Sequence, residues 1–360
     1  MRAVVRREGR LELEEDWPEP QPGPGQTLVK TLACGICGSD LHALDHLERM
    51  AAFSRRMGSA TSIDPARGVV FGHEFCAEII AHGPQTTGRL PPGTRVVAMP
   101  MAMGPDGMEL VGYSSRFNGG FAERMVLTES MLLPVPDHLP AAHAALTEPF
   151  AVGEHAVARA AAPADAVVMV LGCGPIGLAV IAAAKARGLG PVIASDYSPA
   201  RRQAARKLGA DVTVNPAEQN PFGLWEAHGV APTAAARSRA VACGETPRPA
   251  VIFECVGAPG MLQAVIEGAP PLARVIVVGA CMEEDRIEPL MAINRQLSME
   301  FVLAYEPQEF ALTLGRIASG QIDAGAVITW EASLDETARA FRLARQAGEH
   351  VKIVVNPQAA

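Results

Sequence analysis

The rhythm of apolar positions changes near residue 150. Before it, short runs such as Thr27-Leu-Val-Lys-Thr-Leu, Glu78-Ile-Ile-Ala, Arg95-Val-Val-Ala-Met and Phe121-Ala-Glu-Arg-Met-Val-Leu stand between Gly and Pro clusters. Runs so punctuated read as strands. Pro18-Glu-Pro-Gln-Pro-Gly-Pro-Gly is a loop, because proline fixes φ and removes donors. The first part therefore reads as a barrel-like or irregular β domain. Beyond 150, Val167-Val-Met-Val-Leu, Val192-Ile-Ala-Ser, Val251-Ile-Phe-Glu-Cys and Arg274-Val-Ile-Val-Val-Gly are buried-strand patterns. Helices fall between them: an alanine-rich one ends near Gly188, and another spans Ser198 to Leu208, with Ser198 as N-cap and Pro199 first. Strands alternating with helices predict a doubly wound parallel sheet and an α/β class. The stretch 231–248 has little apolar content besides alanine and gives no periodic pattern. After about 302 the chain predicts helices over 310–319 and 334–346 and a last strand, Val351-Lys-Ile-Val-Val.

At 360 residues the chain is too long for one core, and two domains are expected. It is 49% hydrophobic and 19% charged, which excludes disorder. A net charge of −8 argues against nucleic acid or an anionic membrane as partner. Seven scattered cysteines do not form a disulfide framework and fit a reducing cytoplasm. No segment has the ~20 consecutive apolar residues of a membrane span.

Gly172-Cys-Gly174-Pro175-Ile-Gly177 matches G-x-G-x-x-G. Among 34 glycines such a match is weak alone, but a strand precedes it, a helix follows it, and Asp196 ends the next strand. Glycines there allow a tight turn and close approach of a pyrophosphate to the helix N-terminus. Asp196 suits the ribose hydroxyls and would repel a 2′-phosphate, which favours NAD over NADP. Arg201 and Arg202 are of the type that serves a 2′-phosphate.

Cys37-Gly-Ser39-Asp40-Leu-His42 and Gly72-His73-Glu74 gather a thiol, a hydroxyl, imidazoles and carboxylates. A catalytic zinc needs three protein ligands and an open position. Cys37 and His73 are the first candidates; the third is Glu74, or Glu148 in Thr147-Glu-Pro-Phe. Cys34 reads as a small buried residue, and Cys173 as a small loop residue that could sensitise the protein to oxidation.

CGICGSDLH, GHEF, GTRV, NGGFAE, TEPF, GCGPIG, FECVG and VKIVV, in that order, resemble the zinc-dependent medium-chain alcohol and sorbitol dehydrogenases over nearly the whole chain. The resemblance implies a GroES-like catalytic domain, 1–149 with 302–360, and a Rossmann domain, 150–301, with the active site in the cleft between them. It implies that Cys37, His73 and either Glu74 or Glu148 hold zinc. Ser39 and His42 would carry the proton to solvent, and Asp40 would orient the ligand histidine. Ile176 would pack behind the nicotinamide, Arg201 lie near the adenosine ribose, and Lys352 meet the pyrophosphate. Pro175, Val256 and Val278 complete the cofactor contacts.

Two departures follow. The family often has a four-cysteine lobe holding a structural zinc between GTRV and NGGFAE; that stretch lacks cysteine here, so one catalytic zinc per subunit is expected. Thirty residues separate His42 from His73, and Leu47, Met50, Phe53 and Met57 suggest a helix whose apolar face roofs the substrate pocket. The expected activity is hydride transfer between an alcohol and NAD. Met99, Met101, Met103 and Met108, with the 47–57 stretch, lean toward a bulky hydrophobic or aromatic alcohol, and the Glu-Pro pair toward a polyol. Homodimers or homotetramers are the implied assemblies. Competing readings are a zinc-free quinone or enoyl reductase and a non-enzymatic NAD-binding sensor.

Overall fold

Seven strands from the two ends of the chain form one sheet in the computed structural model, which describes residues 1–58, 63–64, 67–105, 107–346 and 348–359. Contacts divide the chain into two units. Met1–Glu148, Phe310–Gly320 and Ile328–Ala360 make the first; Pro149–Glu309 and Gln321–Val327 make the second. The helix Pro307–Ala318 straddles the division.

In the first unit the sheet order is Ile328–Ser333, Lys352–Asn356, Gln26–Gly35, Glu74–His82, Arg95–Ala98, Leu132–Pro134, with Arg124–Thr128 also pairing with Gln26–Gly35. The predicted strands are present; Gln26–Gly35 and Glu74–His82 run longer than expected, Arg95–Ala98 and Arg124–Thr128 shorter. Val29, Phe75 and Val96 of these strands pack in one core with Phe71 and Phe121 from the connections and Phe341 of the helix Thr337–Ala344. The helix Gly38–Arg56 departs from expectation in its packing face. Ala43, Leu47 and Ala51, four apart, are buried, whereas Phe53 is 57% and Met57 66% exposed. Residues four apart share a helix face; Phe53 and Met57 lie off that stripe, so the predicted Leu47–Met57 apolar face does not form. Met101–Gly104 and Gly107–Leu110 pair as a separate two-stranded antiparallel sheet.

The second unit has six parallel strands. Their spatial order is Val212–Val214, Val192–Ser195, Val167–Leu171, Ala250–Glu254, Arg274–Val277 and Ser298–Phe301. In chain order that is 3-2-1-4-5-6, the arrangement whose switch point takes a dinucleotide. The central strands Val192–Ser195, Val167–Leu171 and Ala250–Glu254 are buried along their whole length, the pattern of a sheet covered on both faces. The helix Pro199–Lys207 starts as expected, with Ser198 Oγ accepting from Arg201 N at 3.4 Å. The patternless stretch holds a helix, Ala234–Ala242, none of whose residues is buried. No core selects an apolar stripe there, so sequence periodicity had nothing to reveal.

Candidate metal and cofactor sites

The metal candidates converge through strand register. Gly35 lies opposite Glu74 on adjacent antiparallel strands, and two residues later the chain reaches Cys37, which starts the helix Gly38–Arg56. The ligand atoms of Cys37, His73 and Glu74 lie within 4.8 Å of one another, the one such trio among the described residues. Tetrahedral zinc bonds of about 2.0–2.3 Å set neighbouring ligand atoms roughly 3.3–3.8 Å apart, inside that limit. Glu148, in the first turn of the helix Thr147–Ala160, is not part of the trio. Between the two glutamates left open by sequence, the geometry groups Glu74.

The surroundings fit a dication. Glu74 is fully buried, and its Oε1 has no hydrogen-bond partner. Its Oε2 pairs with the ammonium of Lys352, itself 2% exposed, which also donates to Ile36 O at 2.8 Å. Gly35 makes this pair sterically feasible: a Cβ there would lie 2.1 Å from Glu74 Oε2. Asp40 is fully buried; its Oδ2 accepts from Cys37 N at 3.0 Å, and its Oδ1 lies 3.5 Å from His73 Nδ1. With a metal-bound thiolate, Cys37, Glu74 and Asp40 against Lys352 leave two negative charges, which one divalent ion would neutralise. Burial, the largest influence on His73, disfavours its cation. The charges of Asp40 and Cys37 outweigh it and hold the imidazole well above its usual pKa. The pocket is thus tuned for positive charge. For Lys352, too, burial acts downward, but Glu74 leads a set of anions that raises its pKa. The resemblance assigns Lys352 to the pyrophosphate. Here its ammonium is instead engaged inside its own unit, because a buried lysine needs a carboxylate and a carbonyl to stay charged.

Ser39 sits half-buried beside the trio, and its Oγ lies 2.9 Å from the hydroxyl of Tyr113. His42, one turn along the same helix, is exposed. Tyr113 was not singled out from sequence. Its only signal was an isolated aromatic in a methionine-rich stretch, more than seventy residues from Ser39.

In the second unit, Val167–Leu171 runs into the glycine loop and the helix Pro175–Ala186, with Gly174 as N-cap and Pro175 at its first position. Gly172 has φ +86°, and a Cβ on Gly177 would lie 1.8 Å from Gly172 O. Neither position accepts a side chain. A Cβ on Gly174 would meet no protein atom; it would project before the helix N-terminus, where such loops take a pyrophosphate. Asp196 receives Cys173 N and Ser198 N, each at 2.8 Å, one on each oxygen. Each oxygen keeps acceptor capacity for a ribose hydroxyl. Arg201 lies 3.8 Å from Asp196, and Arg202 donates to the carbonyls of Asp196 and Tyr197. Ile176 and Val278 are half-buried, and Val256 is exposed beside Gly172. Cys173 is fully buried, and burial pushes its thiol far up, so it is not a reactive thiolate.

The comparisons with known proteins match both kinds of domain. The family model described as an alcohol dehydrogenase GroES-like domain matches residues 23–137, and the one described as a zinc-binding dehydrogenase matches 175–319. The (R,R)-butanediol dehydrogenase of Neisseria gonorrhoeae is 29% identical over 95% of this chain and 96% of its own. The sorbitol dehydrogenase of Gallus gallus is 29% identical over 98% and 95%. A putative zinc-binding dehydrogenase from Sinorhizobium meliloti 1021, solved bound to NADP, superposes with a TM-score of 0.80 at 26% identity over 99% of each chain. Two matched domains in the family's order, with full-length relatives, make this chain a member of the zinc-dependent medium-chain dehydrogenase family, an oxidoreductase acting on CH–OH.

Proposed function

We propose that the protein oxidises a secondary alcohol of a vicinal diol or polyol with NAD, using one zinc held by Cys37, His73 and Glu74. The observation that carries this reading is the trio of a half-buried thiol with a buried imidazole and carboxylate, with Ser39 beside it. Zinc at that site would supply Lewis acidity, lowering the pKa of the alcohol. NAD would supply the hydride acceptor. Asp40 holds the His73 side of the trio, and Lys352 pairs with the Glu74 carboxylate. Ser39 takes the alcohol proton, and His42, on the exposed face of its helix, hands it to solvent.

Asp196 supports NAD, since its carboxylate would repel a 2′-phosphate. The diol or polyol class is supported by the butanediol and sorbitol dehydrogenases among the relatives. The features that leaned toward a bulky hydrophobic alcohol lose weight: Phe53, Met57 and Met103 are surface-exposed and Leu47 is core. A homodimer or homotetramer is supported by the exposed Leu290, Ile293, Phe301 and Leu303 around the outer strand Ser298–Phe301. Seven free cysteines support a reducing, cytoplasmic setting. No helix among the described residues is long and apolar enough to cross a membrane.

The test is metal analysis combined with NADH absorbance over diols, polyols and hydrophobic alcohols. Stoichiometric zinc and preferred diol or polyol turnover are expected. Active protein without zinc overturns the mechanism, and faster turnover of aromatic alcohols overturns the substrate class. Cofactor binding without any turnover selects the sensor reading.

A further inference from the structure

Tyr113 reaches the metal site from a loop built for that purpose. Gly112 has φ +86°, and a Cβ there would press on the Gly72 backbone at 3.1 Å, so glycine lets the loop lie against the residue preceding His73. The loop is pinned from within. Glu109, 2% exposed, accepts from Ser114 Oγ at 2.7 Å and from Arg116 Nη1 at 3.1 Å, and Val111 N donates to Pro100 O at 2.7 Å. Its apex presents Tyr113, 6% exposed, with the ring centroid 5.3 Å from His73 and 5.7 Å from Phe71. The phenol oxygen lies 2.7 Å from Asp40 Oδ1 and 2.9 Å from Ser39 Oγ.

A phenol has one proton, and a carboxylate can only accept. The shorter contact, to Asp40, therefore takes the Tyr113 proton. The Ser39 hydroxyl can then only donate to the phenol oxygen. That leaves the Ser39 lone pairs, not its hydrogen, for an incoming alcohol.

The geometry points to Tyr113 as a positioning residue that acts on two groups at once. It fixes Asp40 beside the ligand histidine, and in the resting state it turns a Ser39 lone pair toward the alcohol; as the alcohol proton arrives, Ser39 releases its own hydrogen from Tyr113 to the relay that ends at His42. This inference rests on the proposed zinc site. Groups that orient metal ligands contribute about 10–100-fold to metal affinity or activity when removed.

Tyr113→Phe keeps the ring and its packing and removes only the hydroxyl. Zinc affinity is measured by competition with a chelator of known affinity, alongside kcat, KM and Tm. The expected result is about 10–100-fold weaker zinc retention and about a tenfold or larger loss of kcat, with KM nearly unchanged and Tm close to wild type. Zinc retention and kcat both within about twofold of wild type would overturn the inference, as would a fall in Tm and kcat with zinc affinity intact, the signature of a packing role. Zinc-free wild-type protein removes the proposed site and the inference with it. Zinc-loaded wild type with an indistinguishable Tyr113→Phe variant removes the inference alone.

Discussion

Replacing Lys352 by Met separates what the buried ion pair contributes from what a metal contributes. Met retains most of the apolar stem, so packing changes little, and what is lost is the ammonium. Its removal leaves Glu74, fully buried, without its cation, and takes the donor from Ile36 O. Breaking a buried pair from one side costs about 3–5 kcal/mol, because the remaining charge is uncompensated. The zinc-free variant should therefore lose that amount in the first unit. With zinc bound, the ion takes over part of the compensation of Glu74, and the loss should shrink. By linkage, whatever stability zinc restores must reappear as tighter zinc binding by the variant: about tenfold for each 1.4 kcal/mol. Two units make whole-chain melting an unsafe measure. Hydrogen exchange of the amides in Gln26–Gly35 and Glu74–His82 reads the relevant sheet directly. A loss below about 1 kcal/mol without zinc would refute the unpaired-charge argument. An equal loss with and without zinc would refute the placement of the metal at Glu74.

Asp196→Asn should raise relative use of NADP by about tenfold or more, since ~1.4 kcal/mol of relieved repulsion is already a factor of ten; unchanged NAD/NADP kcat/KM ratios would remove Asp196 as the discriminator. His42→Ala should slow alcohol oxidation most below neutral pH, by up to about 10²-fold, with partial rescue by imidazole buffers. A pH–rate profile identical to wild type would exclude His42 from the relay. Gly177→Ala places a Cβ 1.8 Å from Gly172 O, a backbone clash that side-chain motion cannot relieve. It should abolish measurable NAD binding and reduce exchange protection in Val167–Leu171, at a cost of about 1–3 kcal/mol or more; wild-type NAD affinity would refute the tight-turn reading.

The α/β rhythm, the glycine loop and the Cys37–His42 segment were legible because each is local. A strand, a turn and a helix start leave their marks within a few residues, and Ser198 caps its helix where the sequence placed the cap. The helix Ala234–Ala242 was illegible for the opposite reason: it buries nothing and so carries no stripe. The apolar residues 47, 50, 53 and 57 have roughly helical spacing, yet of these only Leu47 is buried. The buried line is Ala43, Leu47 and Ala51, and alanine gives a weak hydropathic signal.

The proposed metal site divides along the same line. Cys37 and His73 stood out by residue type and neighbours, but the choice between Glu74 and Glu148 depends on register, which pairs Gly35 with Glu74 across two strands. Register is a long-range property, and a one-residue slip would send every side chain to the other face. The same holds for Lys352, brought to the site by the pairing of Val354 with Gly35, and for Tyr113, brought by a loop folded against Gly72. The groups that hold the ligands come from three distant parts of the chain: 37–40, 113 and 352. Motifs can therefore identify the chemistry of this centre. The tuning of that chemistry lies in contacts that no motif contains, and it is there that Tyr113 and Lys352 act.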